Sequence, residues 1–182
     1  MKNILFITTS PTVGGNGDVV IQEAMESAEA NGASVTLVNI RDKEISACKA
    51  CNSCMANASC VQEDDMQGIL KQMKESDGIV ISVPIYFNLP NAQAVTLLNR
   101  LFVACTPTYI SQKNKKLGIM ITCGGSDPEK MKEICENAVV FFPQITEKQI
   151  VVFNKCSSEE AHCKKTPEFL EIARHMGAWV TK

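Results

Sequence analysis

The chain has 182 residues, 45% of them hydrophobic and 21% charged, with a formal net charge of -2. This is the balance of a folded globule with enough apolar material for one full core, and the sequence predicts a single domain over 1–182. The charge and the short basic stretches exclude a nucleic-acid binder, and no window approaches the ~20 apolar residues of a membrane span.

Residues 2–9 form a β-branched and apolar run, read as a strand buried on both faces. The apolar part of this start is too short for a signal peptide, so a cytoplasmic location is expected. A loop of small residues follows over 10–17, and Asp18 is placed to cap a helix that Gly32 stops. A second strand is predicted over 35–40, then a cysteine-rich loop over 46–62. Asp64 and Asp65 open a helix with Met66, Ile69, Leu70 and Met73 at helical spacing. A third strand covers 78–83 and is expected to end at Pro84. The next helix should bury Ala94, Val95, Leu98, Leu101 and Phe102 on one face. Lys113, Lys115 and Lys116 read as a solvated turn before a fourth strand at 117–122. A helix over 128–141, a strand over 149–153 and a helix over 167–176 stopped by Gly177 complete the pattern.

Strands alternate with helices and are apolar throughout rather than alternating. That calls for an α/β fold, a doubly wound five-stranded parallel sheet with helices on both faces. Such a sheet binds ligands beyond the carboxyl ends of its strands, at the switch point. The loops after strands one, three and four therefore carry the candidate site.

The first of these loops, Ser10 to Gly17, offers hydroxyls, glycines and amides at a helix N-terminus, a combination suited to a phosphate. It has neither the Gly-Lys-Ser/Thr of a Walker loop nor the dinucleotide glycine spacing. Pro84, Ile85, Tyr86, Phe87 and Asn88 place two aromatics and an amide at the sheet's mouth, as a flat isoalloxazine ring requires. Cys123, Gly124 and Gly125 supply a close backbone approach from the neighbouring strand.

Cys48, Cys51, Cys54 and Cys60 form C-x2-C-x2-C-x5-C. Four thiols within thirteen residues on a polar loop point to a metal centre. A cubane iron–sulfur cluster fits this spacing better than zinc, which is usually held by two separated knuckles; zinc and plain packing remain alternatives. Cys105, Cys123 and Cys135 read as small core residues. Cys156, His162 and Cys163 fall one ligand short of a second metal site, and His175 reads as a surface residue.

Together, Ser10-Pro11 with Gly15-Asn16, the cysteine run before Asp64-Asp65-Met66, Pro84-x-Tyr86 with Asn99-Arg100, and Cys123-Gly124-Gly125 resemble the iron–sulfur flavoproteins. These are a branch of the flavodoxin-like NAD(P)H-dependent FMN reductases. The resemblance implies a flavodoxin-like fold, bound FMN, and a [4Fe-4S] cluster on Cys48, Cys51, Cys54 and Cys60. It also implies a homodimer or homotetramer and a redox partner such as ferredoxin or NAD(P)H. By position, Ser10, Thr12, Gly15, Asn16 and Gly17 would take the FMN phosphate. Pro84, Tyr86, Phe87, Asn88, Cys123, Gly124 and Gly125 would surround the ring and ribityl chain.

Thr12 stands where the family often has Arg, and Gly17-Asp18 where it often has Thr. The first removes a cation. The second brings a carboxylate to the phosphate loop, which weakens the expected hold on FMN unless Asp18 turns away as a cap. Asn99 stands where Asp is common, and a Lys often found in the preceding helix is absent. Two other functions are compatible with the sequence: an NAD(P)H-dependent FMN or quinone reductase without a cluster, and a non-enzymatic metal-binding or thiol-sensing module on the same scaffold.

Overall fold

The computed structural model describes residues 1–106, 114–140, 142, 144–156 and 162–182. The elements in chain order are β1 (Asn3–Thr8), α1 (Asn16–Ala30), β2 (Ser34–Asn39), α2 (Ser53–Asn57), α3 (Met66–Glu75), β3 (Gly78–Tyr86), β4 (Leu89–Pro90), α4 (Ala92–Arg100), β5 (Lys115–Thr122), α5 (Pro128–Ala138), β6 (Ile145–Phe153) and α6 (Pro167–Val180). Short 3-10 turns occupy Ile40–Asp42, Leu101–Cys105 and His162–Lys165. Among the described residues, no helix is long and apolar enough to cross a membrane.

The long strands are parallel in the order β2-β1-β3-β5-β6, and the two-residue β4 folds back antiparallel on β3. This is the flavodoxin-like doubly wound order, with its switch point between β1 and β3. Successive residues of β1 serve opposite faces, which explains its unbroken apolar run. Ile4 and Phe6 pack with Val20, Ile21, Met176 and Val180 under α1 and α6. Leu5 and Ile7 pack with Met66, Ile69, Leu97 and Met131 under α3, α4 and α5. α1 ends as expected, with Gly32 left-handed at φ 82°. Asp127 caps α5 by accepting from the amides of Glu129 and Lys130, with Pro128 in the first turn.

Several expectations are corrected. Pro84 does not end β3. It lies within the strand, opposite Thr122, and the strand runs to Tyr86 to meet β4. Asp18 is not the cap of α1; Gly15 is, and Asp18 stands in the first turn. On α4 the buried positions are Leu97, Arg100 and Leu101, while Val95 and Phe102 are exposed. Val95 lies about 200° around the helix from the buried Leu97, and Phe102 comes after α4 has ended at Arg100, in the 3-10 turn, where the helical face no longer continues. Lys115 is not in a solvated turn: it opens β5, is buried, and its Nζ donates to the Lys74 and Ser76 carbonyls at the C-terminus of α3. Lys116 pairs with Glu147 at 3.1 Å and lies over the Trp179 ring. Lys113 and Phe141 lie outside the described residues, and α5 closes at Ala138. The last strand starts at Ile145, four residues before the predicted start.

Gly177 is also not a stop. It lies inside α6, against the α1 backbone, where a Cβ would overlap the Ala24 carbonyl oxygen and stand 2.9 Å from its carbon. Gly177→Ala should therefore force the two helices apart and cost about 2–4 kcal/mol in urea unfolding. Gly68→Ala, in the open interior of α3 with nothing within 4 Å of a Cβ, should be neutral or stabilising by up to ~1 kcal/mol. Equal effects at the two positions would refute close packing as the reason for Gly177.

Candidate functional site

The carboxyl ends of β1, β3 and β5 open onto one cleft. Its lining comprises Ser10, Thr12, Gly15, Asn16 and Gly17 before α1, Pro84, Ile85 and Tyr86 of β3, and Thr122, Cys123 and Gly124 at the end of β5. Cys156, just past β6, completes it. The structure thus brings together all the residues expected around a cofactor except Phe87, Asn88 and Gly125. Phe87 and Asn88 are the central pair of the β3–β4 hairpin, both left-handed at φ 52° and 61°, and Phe87 is 98% exposed. A two-residue turn of this kind holds its side chains away from the strands. Gly125 is exposed beyond the cleft. Thr122, which carried no motif of its own, and Cys156, noted in the sequence only as part of an incomplete metal-ligand set with His162 and Cys163, also belong to the lining.

The phosphate-type loop is braced from within. The Ser10 hydroxyl donates to the Thr12 carbonyl and accepts from the Thr12 amide, each at 3.2 Å. Gly17 lets α1 approach β3: a Cβ there would stand 2.8 Å from Ser82 Oγ, which donates to the Gly17 carbonyl. Asn91 donates to the Thr9 carbonyl at 2.6 Å and accepts from the Thr9 hydroxyl at 3.0 Å, locking the end of β1 to the start of α4. Asp18 is not part of the cleft lining. Its carboxylate accepts from the Gly14 amide at 2.9 Å, the Thr8 hydroxyl at 3.1 Å and Arg41 Nη1 at 2.9 Å. Arg41, unremarked in the sequence, also donates to the Ser10 carbonyl at 3.2 Å.

The four clustered cysteines line a second, small cavity. Its remaining wall includes Lys49, Ala50, Asn52, Val61 and Gln62 from the same run, and Asn99, Arg100, Phe102 and Val103 from the end of α4. The run wraps tightly because Ala50, Asn52 and Ala58 are all left-handed, at φ 51°, 58° and 50°. Non-glycine residues adopt that conformation at a cost, which marks a shape the surroundings enforce. The Ala50 amide donates to Cys48 Sγ and Arg100 Nη2 to Cys60 Sγ, each at 3.4 Å. Hydrogen bonds from the Ser53 hydroxyl and amide draw the Cys51 thiol down, with Lys49 adding to the effect. Burial pushes the Cys54 thiol up, and Cys60, Cys48 and Cys51 push the same way. Among the described residues no three Cys, His, Asp or Glu side chains converge on a single ion point.

Arg100 and the start of α3 hold this run in place. The guanidinium is paired bidentately with Asp64 and donates to the Ser46 carbonyl at 2.8 Å. Asp64 accepts from the Ser46 amide, and Gln67 donates to the Cys60 and Gln62 carbonyls, so both ends of the run are tied to α3. Arg100 Nε and Gln62 Oε1 are buried without a hydrogen-bond partner among the described residues.

The other cysteines divide. Cys123 and Cys135 are buried as expected, and Cys105 is half-buried. Burial pushes the Cys135 thiol up to about 11. Cys156 and Cys163 are buried with their sulfurs 3.4 Å apart. His175 is on the surface, 3.9 Å from Glu171.

The Arg100–Asp64 pair yields a prediction. Arg100→Met should destabilise the protein by about 3–5 kcal/mol, because it strands a largely buried carboxylate. The hydrogen bond from Arg100 holds the Asp64 carboxyl below the usual carboxylate range. Its contribution is complete above the unfolded value of about 3.9 and is lost as pH falls through the lower folded value. Between about pH 4 and 2, stability should fall more steeply in the wild type than in Asp64→Asn, measured by chemical denaturation. Parallel curves would remove Asp64 as an acid-labile brace.

Comparison with known proteins follows the same line. Residues 2–132 match the model of the NADPH-dependent FMN reductase family. An iron–sulfur flavoprotein of Methanocaldococcus jannaschii is 29% identical over 192 aligned positions, covering 98% of this chain and 95% of that one. An iron–sulfur flavoprotein of Methanosarcina thermophila is 34% identical over 120 positions, covering 66% of this chain and 62% of its own. Among solved structures, a flavone reductase superposes with a TM-score of 0.76 at 18% identity, covering 98% of this chain and 62% of its own. The NAD(P)H:quinone oxidoreductase from Methanothermobacter marburgensis superposes at 0.73 with 12% identity, covering 97% and 96%. With a family match that spans most of its length and iron–sulfur flavoproteins as its curated relatives, the chain belongs to the NADPH-dependent FMN reductase family, in its iron–sulfur flavoprotein branch, a family of FMN-dependent oxidoreductases.

Proposed function

We propose that this protein is an electron-transfer oxidoreductase that holds FMN in the cleft at the ends of β1, β3 and β5 and a [4Fe-4S] cluster on Cys48, Cys51, Cys54 and Cys60. The observation that carries it is that four thiols from one short run ring a single cavity walled by Arg100. A cubane takes one thiolate at each of four corners, so it needs thiolates around a void rather than at one point, and this arrangement favours it over zinc. The unpartnered Arg100 Nε and Gln62 Oε1, both in residues of that wall, fit a site completed by a further group. When bound, the flavin supplies one- and two-electron chemistry and the cluster single-electron transfer.

The chain's own residues position and charge-balance these groups. The Thr12 hydroxyl and the amides at the start of α1 would present hydrogen-bond donors and the positive end of the helix to the phosphate, while Ser10, engaged with Thr12, sets the shape of the loop. Pro84, Ile85 and Tyr86 form the apolar wall for the ring, with Cys123 and Gly124 opposite. At Gly124 the nearest protein atom to an added Cβ is 3.6 Å away, so packing leaves room for a side chain; we assign the glycine to close approach of the ligand. Phe87 and Asn88 are assigned to the rim, where the exposed Phe87 and Leu89 suit contact with a second copy in a homodimer or homotetramer. The amide of Ala50 and the guanidinium of Arg100 hydrogen-bond Cys48 and Cys60, easing the gathering of four thiolates and tuning the cluster potential. NAD(P)H or a ferredoxin supplies electrons. A reducing, cytoplasmic compartment suits cysteines that must serve as thiolates.

Anaerobic purification followed by iron, acid-labile sulfide and flavin assays tests this. The expected content per chain is about four irons, four sulfides and one FMN. Cys60→Ser should lose iron and keep FMN, while Gly124→Val should weaken FMN binding by about tenfold or more and keep iron. FMN without iron would establish a reductase lacking a cluster. Iron without FMN would remove the flavin reading.

A further inference from the structure

One pair of thiols stands outside the cysteine run. Cys156 follows β6 and Cys163 lies in the turn before α6, and their sulfurs are 3.4 Å apart, both residues buried. Each is anchored to a wall of the cleft. The Cys156 amide donates to the Cys123 carbonyl at 2.9 Å, and its thiol donates to the Phe153 carbonyl at 3.1 Å. The Cys163 amide donates to Asn16 Oδ1 at 2.8 Å, on the first residue of α1. Cys156 lines the cleft itself, whereas Cys163 is fully enclosed.

We propose that Cys156 and Cys163 form a second redox site, a dithiol that hydrogen peroxide converts to a disulfide, with Cys156 as the attacking sulfur. The disulfide's effect on FMN rests on the cleft reading above, but its formation does not. Cys156 is the sulfur a small molecule in the cleft can reach. The hydrogen bond from Cys163 draws the Cys156 thiol down, while the same bond and burial push the Cys163 thiol up, so the proton stays on Cys163. At 8% exposure, Cys156 leaves little room for in-line attack on a bulky disulfide, but two oxygen atoms suffice for peroxide.

In the first step the Cys156 sulfur attacks one peroxide oxygen and the O–O bond breaks. The departing hydroxide leaves as water with the proton Cys156 gave up, and Cys156 becomes a sulfenic acid. The Cys163 sulfur then attacks the Cys156 sulfur and the S–O bond breaks. That hydroxide takes the Cys163 proton and leaves as a second water. The two thiols lose two electrons and one peroxide gains them. Bond formation draws sulfurs 3.4 Å apart to about 2.05 Å. The displacement is passed to Asn16 on one side and to Cys123 on the other.

The test uses reduced holoprotein treated with hydrogen peroxide under argon, then alkylation and tryptic mapping. Lys155 and Lys164 place both cysteines on one peptide, 156–164, apart from the four clustered cysteines and from Cys123. That peptide should appear unalkylated and about 2 Da light, and dithiothreitol should restore it. Cys163→Ser should instead trap a dimedone adduct on Cys156. FMN affinity should differ by about fivefold or more between the two states. Two alkylated thiols on 156–164 at a peroxide dose that oxidises other cysteines, or a Cys156–Cys123 link, would overturn the site. A disulfide with unchanged FMN affinity would overturn its coupling to the cleft. A disulfide in protein that binds no FMN in either state would uphold the dithiol and sink the flavin reading instead.

Discussion

A guanidinium buried between a helix end and a loop is the constraint on which the cysteine half of the site depends. Taking Arg100 out of water costs several kcal/mol unless its charge and its N–H groups are met. The charge and both terminal nitrogens are met by the Asp64 carboxylate, the Ser46 carbonyl and the Cys60 sulfur, which belong to the segment leading into α3 and to both ends of the cysteine run; Nε alone has no hydrogen-bond partner among the described residues. Satisfying one side chain therefore fixes three segments relative to each other. The turn that follows Arg100, Leu101–Cys105, brings Phe102 and Val103 to the same cavity wall. Four thiols on a run with three strained residues hold together because the run is pinned at its ends and backed by this cation.

The cleft rests on a different principle. Parallel strands buried on both faces leave their carboxyl ends as the place where loops diverge, and the reversal of strand order between β1 and β3 opens the gap. What sharpens it is close approach. Gly17 admits Ser82, and the buried Thr9–Asn91 hydrogen bonds tie two loop bases together, so the loops leave a rigid frame rather than a pliable edge.

Much of this was legible from residue order. Period and apolarity located the strands, because burial on both faces writes a continuous apolar signal. The residues at the ends of β1, β3 and β5 followed from the fold rule. The cysteine spacing pointed to a metal centre, and the structure gathers the four cysteines around one cavity. What was not legible depended on partners distant in the chain. Pro84 reads as a strand end until Thr122 pairs with it; Gly177 reads as a helix stop until α1 is seen to touch its backbone. The period of α4 misled because the helix ends at Arg100, so Phe102 falls in the 3-10 turn, and because a charged residue, Arg100, shares the inward side with Leu97. Arg41 carries no local pattern, since its partners Ser10 and Asp18 lie across the neighbouring strand end, and Cys156 and Cys163 read in the sequence only as an incomplete metal-ligand set, since their place at the cleft depends on Asn16 and Cys123.

Asp18 shows how such distant partners reverse a local inference. By sequence it is an anion set into a loop suited to an anion. In the fold it is turned to Arg41 and to the Gly14 amide, and Arg41 spends its second hydrogen bond on the Ser10 carbonyl. The carboxylate thus stiffens the loop from behind. In the proposed FMN site the work of holding a phosphate would then fall on backbone amides, the Thr12 hydroxyl and the α1 dipole, whose effectiveness depends on being held in fixed directions. Two braces fix those directions. One is the Asp18–Arg41 ion pair; the other is the bond from the Cys163 amide to Asn16. The second brace is attached to a thiol pair, so the same rigidity that lets the loop do without a cation of its own also makes it the part of the cleft most exposed to a change in sulfur chemistry.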